Sequence, residues 1–173
     1  MRKKEVINLL IRYGILILLG LGNLFLFYSV FTFLTVYPVY LLLNLIYGAD
    51  IINGSIIFFN NIYANIIPAC VAGSAYYLLF ILNLTTPMNL DKRVRSLVFL
   101  FFSFLVLNII RIFVFAILFS SGFAYFDFAH KAVWYFGSTI MVVGLWFFNV
   151  KLFKIKEIPI YSDFRNIFKH IKS

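Results

Sequence analysis

The run LVFLFFSFLVLNIIRIFVFAILF, residues 97–119, holds 23 residues and a single charge, Arg111. A helix of about 20 apolar residues crosses a hydrocarbon core about 30 Å thick, so this run reads as a membrane span. An arginine inside a span costs on the order of 2.5 to 3.5 kcal/mol on insertion scales, so it faces the protein interior and marks a functional site. The structural alternative is an ion pair with a carboxylate on another span, yet no span interior contains Asp or Glu. Asn108, three residues earlier, shares the helix face of Arg111.

Outward from this run the whole chain keeps the same character. Its 173 residues are 64% hydrophobic and 12% charged, with mean hydropathy +1.00, whereas soluble domains are about half apolar. The apolar runs are too long and continuous for the alternating strands of a barrel, which leaves an all-α membrane protein forming one domain over residues 1–173. The net charge of +9 has a placement that argues against nucleic acid as a partner. Arg2, Lys3, Lys4 and Arg12 precede or open the first apolar run; Lys92, Arg93 and Arg95 fall in one loop; Lys151, Lys154, Lys156, Arg165, Lys169 and Lys172 follow the last run. That is the positive-inside pattern of a multi-pass cell-membrane protein with both termini cytoplasmic.

Four spans are expected, at about 10–33, 69–85, 97–119 and 130–150. The first has a basic leader but no small-residue cleavage site, and reads as a retained signal anchor. Val36 to Tyr47 is too short to cross and is expected as a separate helix in the outer interface, with Tyr37, Tyr40 and Tyr47 at headgroup level. Asn53-Gly54 and Asn60-Asn61 both favour positive φ, which predicts a small extracytoplasmic β-hairpin, 55–59 against 62–67. Such a hairpin lies above the bilayer or against protein, because open sheet edges do not face lipid. The tail, 151–173, alternates basic and apolar residues as a segment resting on an anionic inner leaflet does.

The stretch from Pro68 to Ser74 opens the second span and holds the only cysteine. Proline suits the first turn of a helix, so Cys70 is expected in that turn, where free N–H groups and the helix dipole favour a thiolate. A lone cysteine among apolar residues is otherwise a small packing residue. Helical rise puts Cys70 about 22 Å above the inner end of its span and Arg111 about 21 Å above the inner end of its own. His130, which opens the last span, comes out a few ångströms higher. A thiol, an imidazole and a guanidinium meeting at the outer face suit acyl transfer: Cys70 as nucleophile, His130 as general base and acid, and Arg111 stabilising the oxyanion or the substrate. Asn108 is a candidate supporting residue, and Asp127, three residues before His130, is a candidate to orient its ring. One cysteine and two histidines are too few for a metal centre, and no cofactor is implied.

These features resemble the exosortase and archaeosortase family of membrane cysteine enzymes. The resemblance rests on Cys70-Val71-Ala72-Gly73-Ser74 after a hairpin-like stretch, on Asn108-Ile109-Ile110-Arg111 late in an outward span, and on His130 with Gly137 seven residues on. It covers roughly residues 38–144, and the compact size is more like the archaeal members. Many relatives have a tighter Cys-Ser-Gly or Cys-Ala-Gly, so Gly73 stands one position later here. The resemblance implies catalytic roles for Cys70, Arg111 and His130. It implies as substrates exported proteins with a C-terminal motif, transmembrane helix and basic cluster, cleaved through a thioacyl intermediate and passed to a membrane lipid or another acceptor. A reading from another class is a non-enzymatic membrane protein that binds an anionic lipid or ion through Arg111, with Cys70 as filler.

Overall fold

The computed structural model describes residues 3–157 and 159. Helix α1 (Lys3–Leu21) is followed by α2 (Phe25–Tyr47), a three-stranded sheet, a short α3 (Pro68–Val71), α4 (Gly73–Thr85) and α5 (Leu90–Ser120). The chain then continues through α6 (Phe126–Ala132), a π-helical turn (Val133–Gly137) and α7 (Ser138–Leu152). Four segments are long and apolar enough to cross a membrane: 25–47, 68–85, 90–120 and 126–152. A multi-pass membrane protein is therefore supported, while the basic tail after residue 157 falls outside the described residues apart from residue 159.

The first of these segments is displaced from its expected position. The run 10–33 is divided at Gly22-Asn23-Leu24, where Asn23 (φ 49°) and Leu24 (φ 57°) are left-handed, a conformation that cannot continue a right-handed helix. Val36 to Tyr47 is correspondingly not a separate helix but the second half of α2, which runs through Pro38. Proline inside an apolar helix is tolerated where neighbouring helices and side chains re-satisfy the freed backbone groups. The helix stops at Gly48 (φ 66°), whose N–H returns to the Asn44 carbonyl at 3.1 Å.

Lys92, Arg93 and Arg95, expected in a loop, instead lie in the first two turns of α5. Arg93 turns back onto α4, whose last carbonyls have no donors within their own helix. It donates to the carbonyls of Asn83 (2.6 Å), Leu84 (3.0 Å) and Thr86 (3.0 Å). Arg12 of α1 reaches the same Leu84 carbonyl through Nε at 2.6 Å. Four and eight residues further along α1, the Leu16 carbonyl accepts from the Tyr77 hydroxyl (2.7 Å) and Gly20 leaves that hydroxyl room. Two arginines that look like mere topology markers thus cap a helix end.

Helix α5 sits centrally and packs on α2, α4 and α7. The core between them is largely aromatic: Tyr76 stacks on Phe31 (ring centroids 3.5 Å, 11° between planes) and meets Phe104 edge-on at 4.8 Å. Towards the α4–α5 turn the packing becomes polar. Buried Ser96 accepts from Asn83 Nδ2 at 2.8 Å and donates to Asn149 Oδ1 at 2.9 Å, joining α4, α5 and α7 through one hydroxyl.

The sheet has antiparallel strands β1 (Asp50–Ile52), β2 (Ile56–Phe59) and β3 (Ile62–Asn65) in that spatial order. The expected hairpin is β2–β3, and β1 adds a strand that the sequence reading did not include. Asn60 (φ 46°) and Asn61 (φ 59°) both take the positive φ that a two-residue type I′ turn requires. Buried Ile57 and Phe59 hold the sheet to the end of α2, where Phe59 meets the Tyr47 ring at 5.6 Å.

Candidate functional site

Pro68 occupies the first helical position after extended Ile67, as its fixed φ and missing N–H favour. Cys70 therefore lies in the first turn, as expected, but the anion-binding helix end does not materialise. Its own N–H and that of Val71 are both spent on the Ile67 carbonyl, at 2.8 and 3.4 Å. Helix α3 is only four residues long and carries almost no dipole. It ends because Ala72 is left-handed (φ 58°, ψ 45°), so the expected helix over 69–85 is broken two residues after the cysteine.

The break has a chemical consequence. Ala75 N–H goes to the Ala72 carbonyl at 2.9 Å instead of to Val71, and side chains replace the missing donors on the carbonyls of α3. Asn108 Nδ2 donates to the Cys70 carbonyl at 3.0 Å and to the Val71 carbonyl at 3.3 Å. Arg111 Nη2 donates to the Cys70 carbonyl at 3.1 Å, while Nη1 donates to Ser138 Oγ at 2.7 Å. One guanidinium thus ties α3, α5 and α7 together, and Cys70 and Arg111 share one level of the molecule. Gly73, one place later than in the tighter pattern, lies where a Cβ would come within 2.7 Å of the Tyr28 ring.

A cavity of about 480 Å³ opens beside this junction. Its wall includes Cys70, Arg111 and His130, brought from three separate stretches of chain, together with Phe115, Phe126 and Trp134. The lining is mainly apolar and, among the described residues, contains no carboxylate. His130 is held by ring contacts: it stacks on Phe126 (5.4 Å, 7°) and receives Phe115 edge-on (5.2 Å, 78°). Among the described residues no hydrogen bond joins His130 to Cys70 or to Asp127. Asp127 is exposed and absent from the cavity wall, so the structure does not place it as the group that orients the imidazole.

Ser138 is the site residue that sequence reasoning missed. Eight residues at 100° each would leave His130 and Ser138 about 80° apart around a regular helix. A π turn accommodates one extra residue and rotates the next helix back by about 100°, bringing the two within about 20° of one face. The turn at Val133–Gly137 lies between them. A hydroxyl next to Gly137 inside an apolar span was the available signal. No protein-family model, curated protein or solved structure matches the chain.

Proposed function

We propose that the chain is a membrane-embedded cysteine peptidase or transpeptidase of the exosortase and archaeosortase kind, acting at the extracytoplasmic side on C-terminal sorting signals of exported proteins. The observation that carries this reading is the shared cavity, whose wall brings together the thiol of Cys70, the guanidinium of Arg111 and the imidazole of His130. In the reaction, Cys70 gives its proton to His130 and the sulfur adds to the scissile carbonyl, forming the S–C bond and an oxyanion. Arg111 has five N–H donors, and those not committed to Cys70 and Ser138 are available to that charge. Collapse breaks the C–N bond, and the leaving amine takes the proton from His130. Water or a nucleophilic lipid headgroup then resolves the thioester.

Binding of an anionic lipid or ion by Arg111 has one observation in its favour: the guanidinium lines an apolar cavity with no carboxylate among its described residues. The two readings separate on Cys70→Ala. The test uses membranes containing the chain and a reporter ending in an exported host protein's apolar helix and basic cluster. Wild type should release or transfer the reporter, and Cys70→Ala and His130→Ala should not. Full processing by Cys70→Ala would sink the enzyme reading and leave the anion-binding one.

A further inference from the structure

The cavity wall includes five consecutive residues, Tyr63 to Ile67, which form β3 and its continuation towards Cys70. Alternate residues of a strand face opposite sides, so a cavity that touches every one of them runs along the strand's edge and not over a face. β3 is an outer strand of the sheet.

The register says which backbone groups that edge presents. Ile66 N–H donates to the Ser55 carbonyl at 2.9 Å, and these two residues are opposite one another in the β2–β3 register. Hydrogen-bonded and non-hydrogen-bonded pairs alternate along an antiparallel ladder. Ile57↔Ala64 and Phe59↔Ile62 are therefore hydrogen-bonded pairs, while Ile56↔Asn65 and Phe58↔Tyr63 are not. The N–H and C=O of Tyr63 and Asn65 consequently point away from β2, on the edge that the cavity borders. The edge ends at Ile67, whose carbonyl is turned into α3 and accepts the Cys70 N–H. Unpaired strand edges of this kind take up extended peptide by main-chain hydrogen bonding.

We infer that β3 is the substrate-binding strand: an extended polypeptide segment pairs with the backbone of Tyr63 and Asn65 and is led along the edge to Cys70. The occupant is a peptide because the ladder from β2 to β3 continues outward with the same kinds of donor and acceptor, and because no carboxylate among the described residues of the wall opposes its carbonyls. This inference rests on the peptidase reading and gives it a substrate conformation: the residues before the scissile bond bind unwound, whatever their side chains. Running from the exported domain into the membrane, that segment lies parallel to β3.

The test separates the edge from the nucleophile by using two probes on the purified full chain. The first is 4-benzoylbenzoyl-Val-Thr-Val-Ala-amide, whose N-terminal benzophenone reads pairing without the thiol. It should photolabel wild type, and Asn65→Pro and Tyr63→Pro should each cut labelling about tenfold. Those prolines remove only outward N–H groups and leave the β2–β3 ladder its bonds. Should the variants fail to fold, N-methyl scanning of the same peptide on wild type replaces them, with loss of labelling expected at every second amide. The second probe is the chloromethyl ketone of that peptide, which alkylates Cys70 if the thiol is nucleophilic. Photolabelling without alkylation supports the edge and counts against the cysteine enzyme. Equal photolabelling of wild type and both proline variants, no photolabelling of wild type, or N-methyl effects without alternation, overturns the edge.

Discussion

Arg111 Nη2 and the carbonyl oxygen of Cys70 lie 3.1 Å apart, and the same oxygen accepts Asn108 Nδ2 at 3.0 Å. An intramembrane cation is thus bonded to backbone at the point where a helix has been broken. The duplication makes each donor partly dispensable. Arg111→Ala loses two charge-assisted bonds, to the Cys70 carbonyl and to Ser138 Oγ, worth about 1.5–3 kcal/mol each, but also removes a charge that costs about 2.5–3.5 kcal/mol to hold in a span, so the net loss should stay within about 0–3 kcal/mol. Arg111→Ala with Asn108→Ala leaves both α3 carbonyls without donors. That pair should cost about 1–3 kcal/mol beyond the sum of the singles, read from a double-mutant cycle of unfolding in detergent. Additivity would mean that the two residues do not act on one carbonyl.

Gly73→Ala should destabilise through Tyr28. The added Cβ would lie 2.7–2.9 Å from three ring atoms, and overpacking of this kind costs about 1–3 kcal/mol. Tyr28→Leu in the same chain should restore most of the loss. A Gly73→Ala melting midpoint at or above wild type would show that the ring moves freely.

Ser96→Ala removes the one hydroxyl that serves both Asn83 and Asn149. Leaving two buried amides short of partners should cost about 1–3 kcal/mol, and thermal unfolding in detergent measures it. Ser96→Thr keeps the hydroxyl and should lose less.

Sidedness follows from the same helices. In a Cys70→Ala background, Asn53→Cys in the β1–β2 turn and Asn89→Cys at the start of α5 should be labelled by a membrane-impermeant maleimide from opposite sides. Labelling of both from one side would remove the four-crossing topology. Asn83-Leu84-Thr85 fits the N-glycosylation pattern but should carry no glycan in a glycosylating host, because the Asn83 side chain is fully buried and bonded to Ser96.

The parts of the fold legible in the sequence are those set by a local chemical constraint. Asn60-Asn61 demands a left-handed pair, Pro68 sets the first turn at Cys70, and Arg111 cannot face lipid, which is why its depth could be matched to Cys70 by counting residues. The parts that stayed hidden lack such a constraint. From Phe25 to Tyr47 the chain is almost wholly apolar, so no periodicity marks the helix and Pro38 is a weaker breaker there than in water; Gly22-Asn23, where α1 gives way to α2, was the available signal. The left-handed Ala72 has no compositional mark, because its cost is met by Asn108 and Arg111, which lie more than thirty residues away. The π turn is likewise invisible, and with it the bond that Arg111 makes to Ser138 just beyond it.

The bond from Arg12 to the Leu84 carbonyl spans 72 positions of chain. During synthesis at about 5–20 residues per second, the partner of Arg12 is made roughly 4 to 14 seconds after Arg12 itself. For that interval α1 has no α4 to dock against. Helix α1 therefore waits for α4, and the contacts from Ser96 to Asn149 and from Arg111 to Ser138 form later still, once α7 has been made.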